Sequence, residues 1–245
     1  MVKTLDKALA VLDTIASTEH PMTVAEVTKR VGLSRPTAYR LCQTLIKRGY
    51  LSQNEKDGRI SPGYSILRLS GTLLDTNRLR IEALPVLAKL AESCGERVNL
   101  GILHQHNLLY LAGIEKPGLP IIYSRFGQTT AAYASALGKA ILANLDDNGL
   151  QEFFSKVPLT SFTTNTITDR QSLTEELVRV RQQRYAVDLE ETSIQTFCIA
   201  VPIIVDSGPI GAIGATGRSL EELLEHISIV RHAADVIMHC LGRGV

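Results

Sequence analysis

No apolar run in the chain approaches the roughly 18 residues that a membrane-spanning helix needs, so a spanning segment is excluded. Cysteine is scarce. Cys42, Cys94, Cys198 and Cys240 lie far apart and form no CxxC pair. No secretory leader is legible at the N-terminus, and the two absences together predict a protein of the reducing cytoplasm. Low-complexity segments and internal repeats are missing as well. Net charge is nearly absent, at +1, but its distribution is uneven. Residues 1–64 hold 10 Lys/Arg against 6 Asp/Glu, an excess of +4, whereas residues 65–245 hold 16 against 19 and come out at −3. A basic N-terminal part is what a polyanionic partner requires, although an excess of this size alone is modest. At 245 residues, 44% hydrophobic and 21% charged, the chain describes a globular protein of one large domain or two ordinary ones.

The most informative stretch is 23–48, TVAEVTKRVGLSRPTAYRLCQTLIKR. Two amphipathic helical patterns flank the break Gly32-Leu33-Ser34. Thr23 with Glu26 three residues later predicts a capping box for the first helix, and Ser34 with Pro36 predicts the start of the second. In the second, Ala38, Leu41, Cys42 and Leu45 repeat at i, i+3, i+4 and i+7 and predict one buried stripe. The opposite face carries Arg35, Thr37, Arg40, Gln43, Thr44 and Lys47, and Tyr39 joins them in the predicted DNA-binding set. Such a face suits a DNA groove, because Arg can hydrogen-bond guanine in pairs while Thr, Gln and Lys reach bases or phosphates. The competing reading is a solvated face on any small helical domain. The following residues favour DNA. Gly49 ends the helix, Tyr50–Gln53 reads as a strand, Asn54–Gly58 as a turn, and Arg59–Ser61 as the return strand. Helix, helix, hairpin is the order of a winged helix-turn-helix, with Lys56 and Arg59 placed to touch phosphate. Thr23 and Ser34, at the two helix starts, complete the predicted DNA-binding set.

Elsewhere the periodicity predicts a first helix over 4–17, a greasy helical segment over 65–80, and a further helix over 81–93 with Pro85 in its first turn. The greasy segment (Ile66, Leu67, Leu69, Leu73, Leu74) suits pairing with a twin helix. Strands are predicted at 97–103 and 108–115 around the turn His104–Asn107, with a third at 121–125. Helices follow at 135–145, 150–155 and 169–184, then a hairpin of 197–205 with 209–216, and a last helix at 220–241. The sum is an α+β chain whose C-terminal part is an antiparallel sheet flanked by helices.

Several stretches together resemble the IclR family of bacterial transcription regulators: KTLDKALAVLDTIA at the start, VGLSRPTAYRLCQTLIKRGYL, SALGKAILA at 135–143, YAVDLEE at 185–191, CIAVPI at 198–203 and GPIGAIGATG at 208–217. The resemblance implies a winged helix-turn-helix over 1–64, a linker helix over 65–80, and a GAF-like effector domain over 81–245. It also implies a homodimer or homotetramer on a palindromic double-stranded operator, and a small-molecule effector in the concave side of the sheet. Matched to that pocket are Tyr133, Ala134, Ser135, Leu137, Asp188, Cys198, Ala200, Gly214 and Thr216. Three positions depart from the family pattern, which often has His at 133, Gly at 195 (here Gln195) and Ser at 214. No Lys or Arg falls on a matched position. The expected effector is therefore a small, mostly neutral or mono-anionic metabolite: a short carboxylate, a semialdehyde or a simple aromatic acid.

Other chemistries are weaker. His104 and His106 lack an evident third metal ligand. Cys198 beside Asp188 and Glu190 lacks a nearby His and reads as a small core residue. The glycines at 208, 211, 214 and 217 sit in an apolar hairpin rather than at a strand-to-helix turn, so they do not read as a phosphate loop. No metal, cofactor or catalytic residue is predicted. The function expected is a ligand-responsive DNA-binding regulator, a repressor of a catabolic operon. The alternative is a GAF-like sensor or enzyme whose winged helix binds protein.

Overall fold

The computed structural model describes residues 2–18, 20–115 and 126–242. They form two compact units, Met1–Asn77 and Arg78–Val245. The first contains α1 (Lys3–Ala16), α2 (Val24–Val31), α3 (Arg35–Lys47), the antiparallel pair β1 (Leu51–Gln53) and β2 (Ile60–Pro62), and α4 (Tyr64–Thr76). The capping box forms as predicted: Glu26 N donates to Thr23 Oγ1 at 3.3 Å, and Thr23 N donates to Glu26 Oε2 at 2.7 Å. Ser34 does take the N-cap position of α3, but its hydroxyl pairs with Thr37 Oγ1 at 2.9 Å instead of capping a backbone N–H. Ala38, Cys42 and Leu45 are buried, while Leu41 is only half-buried at the margin of the stripe. Cys42 and Leu45 share a core with Val11, Ile15, Val27, Leu51 and Ile60. One pairing has no sequence signal: Met22 exchanges both backbone hydrogen bonds with Ile60, at 2.9 and 2.7 Å, and so extends the wing sheet.

The helix expected over 65–80 is shorter, ending at Thr76. Asn77 adopts extended backbone (φ −75°, ψ 101°), and Asp75-Thr76-Asn77 supplies the polar side chains that compete with helical hydrogen bonding. Arg78–Arg80 consequently belong to the next helix, α5 (Arg78–Cys94), and Pro85 lies inside that helix rather than in its first turn. No residue of α4 is buried. Leu67, Leu69 and Leu73 stay 68%, 55% and 60% exposed.

After α5 the second unit runs β3 (Arg97–His104), β4 (Asn107–Ile114), β5 (Thr129–Ala131), α6 (Ala136–Leu142), α7 (Asp147–Lys156), α8 (Arg170–Gln183), β6 (Ala186–Leu189), β7 (Phe197–Val205), β8 (Gly208–Gly217), α9 (Leu220–Glu225) and α10 (Ile227–Gly242). The sheet order is β5-β4-β3-β8-β7-β6, every described pair antiparallel. The strand expected at 121–125 lies outside the described residues. The short edge strands β5 and β6 were not read from the sequence, and the helix expected over 220–241 is broken at His226 into α9 and α10.

Alternation along the strands sorts side chains into two layers. Val98, Leu100, Ile199, Val201, Ile213 and Ala215 face α5, α9 and α10. Ala186, Ala200 and Ala212 face α6 and α8. The second face is built of small residues, so α6 approaches the sheet closely. Gly138 of α6 is confined from another side: a Cβ there would lie 2.1 Å from the carbonyl oxygen of Ala132, in the turn between β5 and α6.

Candidate DNA interface and ligand pocket

On α3 the face opposite the buried stripe is open. Arg35, Tyr39, Arg40, Thr44 and Lys47 are exposed, and Thr37 and Gln43 are half-buried. Lys56 is exposed in the wing turn. Arg59 is committed within its own unit: Nη1 donates to the Pro21 carbonyl at 2.8 Å and lies 3.7 Å from Glu26 and its Nε 3.9 Å from Asp57. It braces the wing against the start of α2. Thr23 is likewise occupied, since its hydroxyl lies 2.9 Å from Glu26 Oε2. Those hydrogen bonds from Thr23 hold the Glu26 carboxyl below its ordinary value. Lys29 and Arg30 in the last turn of α2, and Arg48 after α3, add exposed positive charge that the motif reading passed over.

Strand register builds the pocket. Asp188 pairs with Cys198, and Cys198 with Thr216, so the three stand in one row across β6, β7 and β8. The adjacent row on the same face runs Ala186, Ala200, Gly214 and Asn99. Ser135, Ala136 and Leu137 cover both rows from the start of α6. Of the predicted positions, Ser135, Leu137, Asp188, Cys198, Gly214 and Thr216 line this cavity, together with Asn99, Tyr110 and Thr192, which sequence reasoning missed. Tyr133, Ala134 and Ala200 belong to the surrounding core. The Tyr133 hydroxyl donates to Thr160 O and accepts from Thr160 N, both at 2.8 Å, and its ring stacks on Phe162. Cys198 Sγ lies 3.2 Å from Thr216 Oγ1, and Asn99 Nδ2 lies 3.4 Å from the same oxygen. The cavity measures only about 10 Å³, about one water.

Behind the pocket lies a buried charge cluster. Asp188, 1% exposed, accepts from Glu191 N through Oδ1 and from Thr192 Oγ1 through Oδ2, each at 2.7 Å. Lys139, equally buried, pairs with Glu191 and reaches Glu176 at 3.3 Å. Burial pushes both the Asp188 and Glu191 carboxyls above their ordinary values, against the attraction of Lys139. Lys139 is not itself a matched pocket position, but its charge acts on one of them, Asp188. Nothing local in SALGKAILA marks its lysine as buried. The polar stretch 160–168 is also part of the framework: Thr166 Oγ1 donates to Glu191 O at 2.6 Å and Thr163 Oγ1 to Glu190 O at 2.7 Å.

Two departures from the family pattern gain a geometric account. Gln195 holds a left-handed φ of 59°, the conformation a glycine takes without strain. Its N–H donates to Glu190 Oε1 at 2.6 Å, which ties the turn together. At Gly214 a Cβ would lie 2.1 Å from the Ile199 carbonyl oxygen, so a serine there requires the strands to shift.

Among the described residues no group of three or more His, Cys, Asp or Glu side chains is placed to hold a metal ion. His106 lies 3.9 Å from Glu152 and edge-on to Phe153. No helix is long and apolar enough to cross a membrane among those residues.

Comparison with known proteins agrees with this architecture in both units. The family model described as "IclR helix-turn-helix domain" matches residues 4–55, and "Bacterial transcriptional regulator IclR C-terminal" matches residues 71–239. The glycerol operon regulatory protein of Streptomyces coelicolor is 32% identical over 99% of this chain and 98% of its own length. The HTH-type transcriptional regulator XynR of Escherichia coli is 30% identical over 83% of this chain and 81% of its own. Among solved structures, the Thermotoga maritima IclR covers 99% of this chain and 100% of its own at 30% identity, with a TM-score of 0.73. With both family models matched in order along the chain and relatives of this identity and coverage, the chain belongs to the IclR family of bacterial transcription regulators.

Proposed function

We propose that this regulator is a repressor of a catabolic operon that releases its operator when a small carboxylate, semialdehyde or aromatic acid binds the pocket. The observation that carries the reading is the coexistence of two separate features. One is an open basic face (Arg35, Arg40, Lys47) on α3; the other is a row of polar groups in the second unit, with Asp188 buried and Cys198 and Thr216 half-buried. Relatives bearing the names of a glycerol operon regulator and a Pca regulon regulator support a catabolic target. The exposed leucines of α4 suit pairing about a two-fold axis, in a dimer or tetramer on a near-palindromic operator with half-sites about 34 Å apart. Ser135, Thr216 and Asn99 offer a carboxylate or carbonyl oxygen hydrogen bonds, while Asp188 selects for a ligand hydroxyl. Because the cavity is no larger than a water, ligand entry must open it, and the state so opened has a different affinity for ligand; only such a difference can switch DNA binding.

The test is fluorescence anisotropy on DNA from upstream of the protein's own gene, with candidate metabolites first screened by the rise in melting temperature. Arg40→Ala should cost roughly 1–3 kcal/mol on the cognate site and relax base preference. An Arg40→Ala variant with undiminished specificity would refute α3 as the reading helix. Metabolites that raise the melting temperature without altering operator affinity would refute the switch.

A further inference from the structure

We infer that a second ligand site, for a small hydroxylated organic polyanion, lies between β7, the C-terminal end of α8, and α10. A cleft of about 520 Å³ opens there, within the roughly 300–1,000 Å³ of small-ligand sites. Arg181, Arg184 and Arg231 line it with one acidic residue, Asp235, leaving an excess of two positive charges. Two of the guanidinium groups are held in place by the fold. Arg181 Nη2 donates to Leu145 O at 2.9 Å while its Nε donates to Ala143 O, and Arg231 donates to Gln183 O and lies 5.5 Å over the Tyr185 ring. Each keeps unused N–H donors. The third, on Arg184 at the left-handed C-cap of α8 (φ 60°), has no hydrogen-bond or ion-pair partner among the described residues, and neither does Asp235.

Three guanidinium groups facing one cleft repel each other, and an anion with paired oxygens relieves this while matching their fork geometry. Asp235 adds an acceptor suited to a ligand hydroxyl. Val201 and Pro202 give an apolar floor for a carbon skeleton. A hydroxy-tricarboxylate and a sugar phosphate share this chemistry. The cleft is distinct from the pocket of Asp188 and Thr216: α6 begins at the pocket, and Asn144, just beyond its other end, lines the cleft.

Isothermal titration of the full-length protein with citrate and with glucose 6-phosphate tests the site, with triethyl citrate and glucose as uncharged controls. We expect saturable one-to-one binding of at least one anion and none of the controls. Affinity should fall at least about tenfold in Arg184→Gln and in Arg231→Gln, and persist in Thr216→Val, which alters the other pocket. Citrate alone binding identifies a tricarboxylate site, and glucose 6-phosphate alone a phosphate-ester site. Failure of both anions, binding that survives Arg184→Gln, or binding lost in Thr216→Val would each overturn the inference. So would a change of sedimenting mass in Arg184→Glu without anion binding, which would make the cleft a contact between copies of the chain.

Discussion

Lys139→Met is the sharpest probe of the effector unit, because it removes the ammonium buried among Glu191, Glu176 and Asp188. Lys139 is 1% exposed, and the variant leaves Asp188 (1%) and Glu191 (3%) in a dry site without their cation. Met approximates the volume, so the loss is electrostatic rather than a cavity. Breaking a buried pair by deleting one partner costs about 3–5 kcal/mol. For a unit of this size that is a fall in melting temperature on the order of 10 °C. The pH dependence follows from the raised carboxyls. Each binds its proton more tightly in the folded than in the unfolded chain, so its contribution to stability is full at acid pH and is lost as pH rises through the folded value. Without Lys139 those folded values rise further. The deficit should therefore be smaller near about pH 5 and larger near about pH 8. Adding Glu191→Gln to Lys139→Met should recover part of the loss at the higher pH, since the unpaired charge is gone. Melting followed by circular dichroism across this range decides the matter. A loss of less than about 2 °C, or one that is the same at both ends, would refute a functioning buried ion pair.

Asp188→Ala and Thr216→Val should each reduce the effector response in a gel shift while leaving ligand-free operator binding within about twofold, a shift near 0.4 kcal/mol; two variants that respond like the parent would move the effector site elsewhere. Leu69→Glu combined with Leu73→Glu should lower the sedimenting mass and abolish tight operator binding, and a monomer that still binds the full operator tightly would refute pairing through α4. Lys47→Ala should weaken all DNA sequences alike and lower the slope of log affinity against log salt by about one, whereas a sequence-selective loss would make it a base contact.

The DNA unit was legible because its signals are local. The capping box of Thr23 and Glu26, the i, i+3, i+4, i+7 stripe on α3 and the Asn54–Gly58 turn each involve residues within one or two turns of each other, and each formed, with Leu41 left at the margin of the stripe. The misses there had non-local or compensating causes. Ser34 found Thr37 instead of a backbone N–H, Met22 paired with a strand 38 residues away, and Asn77 broke a helix whose apolar pattern ran on.

In the effector unit the long strands β3, β4, β7 and β8 and most helices followed from periodicity, but the edge strands β5 and β6, the break at His226 and the pocket did not. Pocket positions such as Asp188, Cys198 and Thr216 came from resemblance, and the residues themselves carry no mark of sharing a site. Only the antiparallel registers of β6, β7 and β8 bring these three into one row, and a slip of one residue would turn them to the other face. Lys139 and Glu191 meet across 52 residues of sequence. Their burial is a property of the packing between α6 and the small-residue face of the sheet. Local hydrogen bonding and side-chain periodicity are written in neighbouring residues, and so the sequence by itself determined most of the elements and the exposed basic face of α3. The burial of charge, the lining of the pocket and the gathering of Arg181, Arg184 and Arg231 around one cleft depend on distances between remote segments, which only the tertiary structure decides.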